Sequence, residues 1–309
     1  MRKLHISVLL VALFIMLSFN KVQAQDSSDA ISGWGVSLDY KFQSWEPDDI
    51  FGAEVLTTGL NLLGIEFGVG TTQYGFNPLI SYEFAPAGDP AAQDDLLEIS
   101  EDEASGWERL FADLSWTFAS GKTVSFIFDR QIYLTSVQTD RDYWYFDGSD
   151  VTLLIPGDIV RNTTVMEDLQ VLYGFPAFQY GLYNLSYEKP FSTDIQNGQI
   201  GIYRTELSST GLLLKSKFSL GILDFSASYK FGLVSDLIIG ASSSAAALLG
   251  EFDDSLDFSE LTASVQAAVY QRGFKVVVGT GYTVRDMSAD IQLTKDELSS
   301  VYVNLSKSF

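Results

Sequence analysis

The sequence predicts an all-β protein: a transmembrane antiparallel up-and-down β-barrel of 14 strands, with 12 as the alternative count. Three observations lead to this prediction. Apolar and polar residues alternate with a period of two in one segment after another. Many of these segments are about ten residues long, which is the length of a tilted membrane strand. Short and long connections alternate between them, as expected when turns lie at one end of a barrel and loops at the other.

The N-terminal 24 residues have the pattern of a secretory signal peptide. Two basic residues precede an apolar run from Ile6 to Phe19, and Ala24 offers a cleavage position. No other stretch approaches the roughly 18 apolar residues of a spanning helix, so any membrane insertion must use strands. We therefore predict a signal peptide over 1–24 and one barrel domain over 25–309.

Five segments show the clearest alternation, each with an apolar and a polar face. They are 36–43, 110–118, 223–233, 261–269 and 276–284. The middle of the chain allows two strand counts. Strands are predicted there over 166–175, 178–188, 199–207, 212–220 and 223–233, with a weak strand beginning at Leu237. Including the weak strand gives 14 strands, whereas omitting it and merging one neighbour gives 12.

The apolar segment 237–250 has two interpretations. It forms a further strand with its loop, or it folds inward and plugs the lumen. An inward plug would provide an apolar site, a feature similar to hydrophobic-substrate transporters of the fatty-acid type. The strand interpretation is preferred, because no long plug domain precedes the first strand.

The C-terminal segment alternates apolar and polar residues and ends on Phe309. A strand of this kind resembles the closing strand of bacterial outer-membrane β-barrels, which include the porins. Lys307 departs from the pattern, because those proteins usually have an apolar or aromatic residue there. The resemblance implies a Gram-negative-type outer membrane, contact with its lipid, and recognition of the last strand by the barrel assembly machinery. Many unrelated functions share this architecture, so it identifies no solute.

The connections predict the orientation of the barrel. Short links occur at 71–73, 119–122 and 271–273, whereas 46–58, 85–106, 137–162 and 287–298 are long and mostly polar. Barrels of this class have short periplasmic turns and long outer loops. Both termini are therefore predicted to be periplasmic. Aromatic residues near strand ends are predicted to form the girdles at the two membrane interfaces. They are Trp45, Trp107, Trp116, Phe118 and Tyr282.

The composition limits the chemistry of the mature chain. Of the 19 basic residues, three lie in the signal segment, which leaves 16 against 40 acidic residues and a net charge of −24. Nucleic acid is therefore not an expected partner, because binding phosphate requires the opposite sign. Cysteine is absent and the single histidine, His5, lies in the signal segment. We predict no catalytic residue, no metal site and no cofactor.

The polar faces of the strands supply candidate residues of the lumen. Both signs of charge occur among them. The candidates are Asp39, Lys41, Glu66, Glu83, Asp113, Asp129, Lys215, Lys217, Asp224 and Lys230. The negative excess is assigned to the loops, where two acidic runs occur. The first is predicted to form an acidic mouth and consists of Asp94, Asp95, Glu98, Glu101, Asp102 and Glu103, and the second extends from Glu251 to Glu260.

These features predict a passive or weakly cation-selective channel for small solutes, because an acidic mouth enriches cations near a lumen of mixed charge. One alternative is a non-conducting structural barrel that docks another envelope protein. A further alternative is a transporter of hydrophobic substrates. The composition of the lumen does not separate these functions, because a lumen filled by paired charges and an open lumen can contain the same residues.

Overall fold

A computed structural model describes residues 34–47, 58–69, 75–84, 97–99, 106–139, 142–147, 150–156, 159–194, 200–240, 252–271, 274–288 and 293–308. All of them belong to one compact unit, 31–309. The predicted signal peptide, 1–24, and Phe309 lie outside the described residues. Within the described part, no helix is long and apolar enough to cross a membrane.

The described residues form sixteen strands. They are β1 (Trp34–Pro47), β2 (Thr58–Val69), β3 (Phe76–Phe84), β4 (Leu97–Ile99), β5 (Gly106–Thr117), β6 (Thr123–Thr139), β7 (Tyr143–Asp147), β8 (Asp150–Leu154), β9 (Ile159–Phe175), β10 (Phe178–Asp194), β11 (Ile200–Leu220), β12 (Leu223–Gly240), β13 (Phe252–Ser255), β14 (Asp257–Gln271), β15 (Phe274–Ser288) and β16 (Leu293–Ser308).

Twelve of these strands form a closed antiparallel barrel in the order β1, β2, β3, β5, β6, β9, β10, β11, β12, β14, β15, β16. The barrel closes where β16 pairs with β1, from Gly35 opposite Ser308 to Pro47 opposite Asp296. Closure gives a partner to every strand edge, which a membrane requires because lipid offers no hydrogen bonds. The four short strands β4, β7, β8 and β13 are additions to this ring.

The two ends of the barrel differ. The connections at the end where β1 starts and β16 ends are all short, for example 118–122 and 176–177. We call this the turn end. The longest connections, such as 85–105 and 140–158, lie at the other end, which we call the loop end and which also has the short connections 195–199 and 289–292. The prediction of a long connection over 287–298 is wrong, because β15 extends to Ser288 and β16 begins at Leu293.

The predicted count of 14 strands is wrong, and the alternative count of 12 is confirmed. Segments 199–207 and 212–220 belong to the single strand β11, and 223–233 continues through Leu237 in β12. Gly211 lies within β11 at a bulge that follows Thr210. A Cβ atom on Gly211 would lie 1.9 Å from the carbonyl oxygen of Phe231. The glycine therefore permits close approach of two strands rather than a turn. Residues 241–250 of the apolar segment lie outside the described residues.

The outward faces of the barrel strands are mostly apolar, although charged residues occur on them toward the loop end, where Arg130 and Glu167 form an exposed ion pair. Leu38 and Leu182 are each 57% exposed, and Val278 is 50% exposed. Large apolar side chains at this exposure on successive strands form a surface that is suited to lipid rather than to water. Trp116 and Phe118 lie on this surface near the turn end.

Trp107 is an exception among the predicted girdle residues. It is 4% exposed and lies inside the barrel, so its assignment to a lipid interface is wrong. The reason is the alternation along β5, in which Trp107 shares the inward face with Arg109 and Phe111. Tyr282 is exposed on β15, and the side chain of Trp45 is not among those described.

Candidate functional site: the barrel lumen

Eight charged side chains from eight different strands meet inside the barrel. We call this group the charged belt. Its members are Lys41, Glu83, Arg109, Asp129, Asp168, Lys230, Glu260 and Arg285. Four are cations and four are anions, so the belt carries no net charge when all are ionised.

The first half of the belt connects β1, β3, β5 and β6. Lys41 Nζ lies 2.5 Å from Glu83 Oε2, and Arg109 Nη1 lies 3.4 Å from Glu83 Oε1. Arg109 also donates two hydrogen bonds of 2.8 Å from Nε and Nη2 to the two carboxylate oxygens of Asp129. Gln131 donates a further hydrogen bond to Asp129 Oδ2. A bidentate guanidinium–carboxylate pair of this kind fixes both side chains geometrically.

The second half of the belt connects β9, β12, β14 and β15. Lys230 Nζ lies 2.6 Å from Asp168 Oδ2 and 2.7 Å from Glu260 Oε1. Arg285 Nε donates to Glu260 Oε2 at 2.5 Å. Lys230, Glu260 and Arg285 are direct cross-strand neighbours on β12, β14 and β15. Asp168 is not their neighbour, because β10 and β11 separate β9 from β12. Lys230 therefore joins parts of the wall that the backbone does not pair.

An apolar layer covers the belt on the side of the loop end. On four strands, the inward residue two positions nearer to the loop end than a belt residue is apolar or aromatic. These residues are Trp107 on β5, Met166 on β9, Phe258 on β14 and Met287 on β15. Tyr183, Tyr187, Leu207 and Leu256 belong to the same buried cluster. The inside of this barrel therefore has an apolar core of its own.

Side chains of the apolar layer come together inside the barrel. Trp107, Met166, Tyr187 and Leu298, from β5, β9, β10 and β16, border a pocket of about 10 Å³. This volume is no larger than the space that holds one water molecule. The Tyr187 hydroxyl also donates a hydrogen bond of 2.6 Å to Asp296 Oδ2 on β16. Four strands lie between β10 and β16 along the shorter path around the ring, so side chains from distant parts of the wall touch.

Two larger cavities lie within the lumen. A central cavity of about 350 Å³ is bordered by both halves of the belt, including Arg109 and Lys230. A turn-side cavity of about 530 Å³ lies near the starts of β1 and β3 and the end of β16. Lys41 and Tyr302 border both cavities. The lumen thus contains polar space on the turn side of the apolar layer.

The structure brings most of the candidate lumen residues to these cavities. Lys41, Asp129, Lys215 and Lys230 line the central cavity, and Asp39, Lys41, Glu66 and Glu83 line the turn-side cavity. Three candidates lie elsewhere on the inward faces. Asp113 accepts a hydrogen bond from Ser115, Asp224 accepts one of 2.6 Å from Ser219, and Lys217 is exposed.

The predicted acidic mouth cannot be placed in the same way. Asp94, Asp95, Glu101, Asp102 and Glu103 lie outside the described residues. Glu98 belongs to the short strand β4, whose side chains are not described.

Sequence reasoning missed half of the belt. Arg109 directly precedes the predicted segment 110–118, and Arg285 directly follows 276–284. Asp168 lies in the predicted strand 166–175, but its residues were not divided into an inward and an outward face. Glu260 was attributed to the second acidic loop run, which is wrong, because it lies on the inward face of β14 and is 6% exposed. Extending each alternation by one residue would have identified Arg109, Glu260 and Arg285.

Solved structures, but no family model or curated protein, are similar to this chain. No family model matches the sequence, and no similar curated protein was found. The chain is similar to the translocator domain of autotransporter NalP from Neisseria meningitidis, with 12% identity, a TM-score of 0.45 and coverage of 97% of each chain. It is similar to the beta domain of a Bordetella autotransporter, BrkA, with 14% identity, a TM-score of 0.41 and coverage of 90% of this chain and 100% of that one.

An outer membrane channel from Pseudomonas putida F1 is also similar, with 12% identity, a TM-score of 0.43 and coverage of 92% of this chain and 99% of that one. Identities of 12–14% with TM-scores below 0.5 assign no function to the chain.

Proposed function

We propose that this protein is an outer-membrane channel for small polar solutes, which the apolar layer closes at rest. One observation carries the proposal. The lumen contains two cavities of about 350 and 530 Å³ that are bordered by charged and polar side chains, inside a barrel whose outer face is apolar. Polar cavities in a closed barrel favour passage of water-soluble molecules. Apolar constrictions gate such paths by excluding water.

The proposal places the barrel in the outer membrane of a Gram-negative-type bacterium with the turn end in the periplasm. The mostly apolar outer surface supports contact with lipid, and the position of the longest connections supports the orientation. Recognition of the last strand by the barrel assembly machinery also belongs to the proposal. No catalytic step is included, because the chain has no cysteine and its only histidine is His5.

We propose weak cation selectivity. The belt is balanced in charge, so it favours neither cations nor anions at long range. The mature net charge of −24 therefore has to come from residues outside the belt, among them the acidic run at 94–103. An excess of negative charge at a channel entrance raises the local concentration of cations, an effect that salt screens.

Single-channel recording in planar bilayers tests the proposal. We expect small, brief conductance steps from transient opening of the apolar layer, and a reversal potential in a salt gradient that favours cations and moves toward zero as the total salt rises. Heat-modifiable migration on gels establishes that the protein is folded. A folded protein that gives no current above background contradicts the proposal.

Removing the largest side chain of the apolar layer should open the channel. Trp107→Ala leaves a space beside Met166 and Tyr187 into which water can enter, so we expect single-channel conductance to rise by at least about twofold. Trp116→Ala is the matched control, because Trp116 lies on the same strand and is 47% exposed on the outer face. Conductance in this control should equal that of the parent. An equal effect of both substitutions would contradict a constriction at Trp107.

A second candidate function is a non-conducting barrel that docks another envelope protein. The contacts across the lumen favour this candidate, in particular the hydrogen bond between Tyr187 and Asp296 and the small size of the pocket beside Trp107. This candidate predicts no current in the parent or in Trp107→Ala, together with recovery of one defined partner after crosslinking in cells. Transport of hydrophobic substrates has less support, because the buried apolar side chains of the described lumen pack against one another.

A further inference from the structure

Four charged side chains lie on the turn side of the belt without forming ion pairs. They are Asp39 on β1, Glu66 on β2, and Lys215 and Lys217 on β11. Asp39 accepts a hydrogen bond from Asn304, and Glu66 accepts one of 3.3 Å from Ser37. Among the described residues, no ion pair involves any of the four. They differ in this respect from the cations of the belt, each of which contacts a carboxylate.

The two carboxylates lie on one wall of the barrel and the two ammonium groups on the other. Around the ring of twelve strands, four strands separate β11 from β1 in one direction, and five separate it from β2 in the other. These are nearly opposite positions. Three further charges lie near these groups. Asp113 on β5 adds a carboxylate to the acidic half of the ring, whereas Lys275 on β15 borders the same cavity as Glu66 and Asp224 on β12 lies on the strand next to β11. They reduce but do not cancel the difference in charge between the two walls.

The cross-strand register places these groups at a similar depth. The depth of Lys215 can be carried around the ring by moving from each residue to its partner on the next strand. Through β12, β14, β15 and β16, this series of partners ends at Trp45 on β1. Through β10, β9, β6 and β5, the series ends at the turn that precedes β3. The two end points differ because tilted strands close a barrel only with a stagger in register. Asp39 and Glu66 lie between the two end points, as expected for groups at the depth of Lys215.

Unpaired opposite charges on facing walls create an electric field across the lumen. We propose that this field makes the channel prefer small zwitterionic solutes, whose amino group turns toward Asp39 and Glu66 and whose carboxylate turns toward Lys215 and Lys217. This inference rests on the proposed function. A dipole gains energy by aligning with such a field, and a wall of low dielectric constant strengthens it. A simple ion is attracted by one wall and repelled by the other, so its preference is small.

Liposome swelling with the zwitterion glycine and its neutral isomer glycolamide tests the inference. In the parent, glycine should enter faster than glycolamide by about threefold after subtraction of the protein-free rate. The field-free variant combines D39N, E66Q, K215M and K217M, which removes the field of these four charges without a change in net charge. The ratio of the two rates should then fall to about one.

A reversed-field variant is the control for changes in width and packing. It combines D39K, E66K, K215E and K217E, which keeps the net charge and reverses the field. Because a mobile dipole can turn around, this variant should again prefer glycine. A ratio that is the same in the parent and in the field-free variant would overturn the inference, even if both proteins conduct.

Equilibrium binding separates this inference from the proposed function. Saturation-transfer NMR with glycine on the purified protein in detergent requires access only from the turn end. A parent without flux that gives a stronger glycine signal than the field-free variant would refute the channel and support the zwitterion site. Equal signals in a parent without flux would refute both proposals.

Discussion

Lys230→Met is expected to destabilise the barrel by about 3–5 kcal/mol, because it removes a cation that contacts both Asp168 and Glu260. Lys230 is 3% exposed, and its ammonium group lies 2.6 and 2.7 Å from the two carboxylates. Methionine fills similar space but leaves Asp168 without an ion-pair partner in a buried position. Glu260 retains Arg285. The main loss should therefore arise at Asp168.

Urea unfolding of the protein in lipid vesicles, followed by tryptophan fluorescence and gel migration, measures this effect. Lys217→Met is the matched control, because Lys217 is exposed on the neighbouring strand and forms no ion pair in the described part of the chain. Its stability should stay within about 0.5 kcal/mol of the parent. Adding Asp168→Asn to Lys230→Met should recover part of the loss, since the amide no longer buries a charge. Equal stability of Lys230→Met and the control would contradict the role assigned to the belt.

The alternation of residues is sufficient to predict the barrel, because it depends only on neighbours along the chain. The inward positions of Lys41, Asp129 and Lys230 follow from it directly. Strand ends are harder to predict, because an alternation fades where a strand meets a loop. Glu260 was assigned to a loop for this reason, since it follows a run of acidic residues that masks the start of the alternation in β14.

The contacts across the lumen could not be predicted from one sequence. The pair Lys230–Asp168 joins residues 62 positions apart, and the hydrogen bond between Tyr187 and Asp296 joins residues 109 apart. Both depend on the strand count and on the stagger of the closed barrel, which are properties of the whole ring. An error of two strands would move either residue to a different part of the wall. The apolar layer was not predicted, because Trp107 and Met166 are large apolar residues. In a membrane barrel such residues usually face lipid, so the sequence does not show that these two face inward.

Gly181→Ala is expected to disrupt the hairpin of β9 and β10 and to cost more than about 3 kcal/mol, because overpacking against backbone cannot relax by a change of rotamer. A Cβ atom on Gly181 would lie 1.8 Å from the carbonyl oxygen of Val171 and 2.9 Å from the Cα atom of Leu172. Both atoms belong to β9, which pairs with β6 on its other side. If β9 moved to make room for the new methyl group, the pairing of β6, β9 and β10 would therefore be disturbed.

Gly35→Ala is the matched control for this substitution. Its Cβ atom would meet only the carbonyl oxygen of Lys307, at the ordinary contact distance of 3.5 Å. Alanine also loses less backbone entropy on folding than glycine, so this variant should equal or slightly exceed the parent in stability. Refolding into lipid vesicles, scored by heat-modifiable migration, compares the two. A folded fraction of Gly181→Ala that matches Gly35→Ala would mean that β9 and β10 are not held this close together, and the tight pairing beside the buried Leu172 would have to be abandoned.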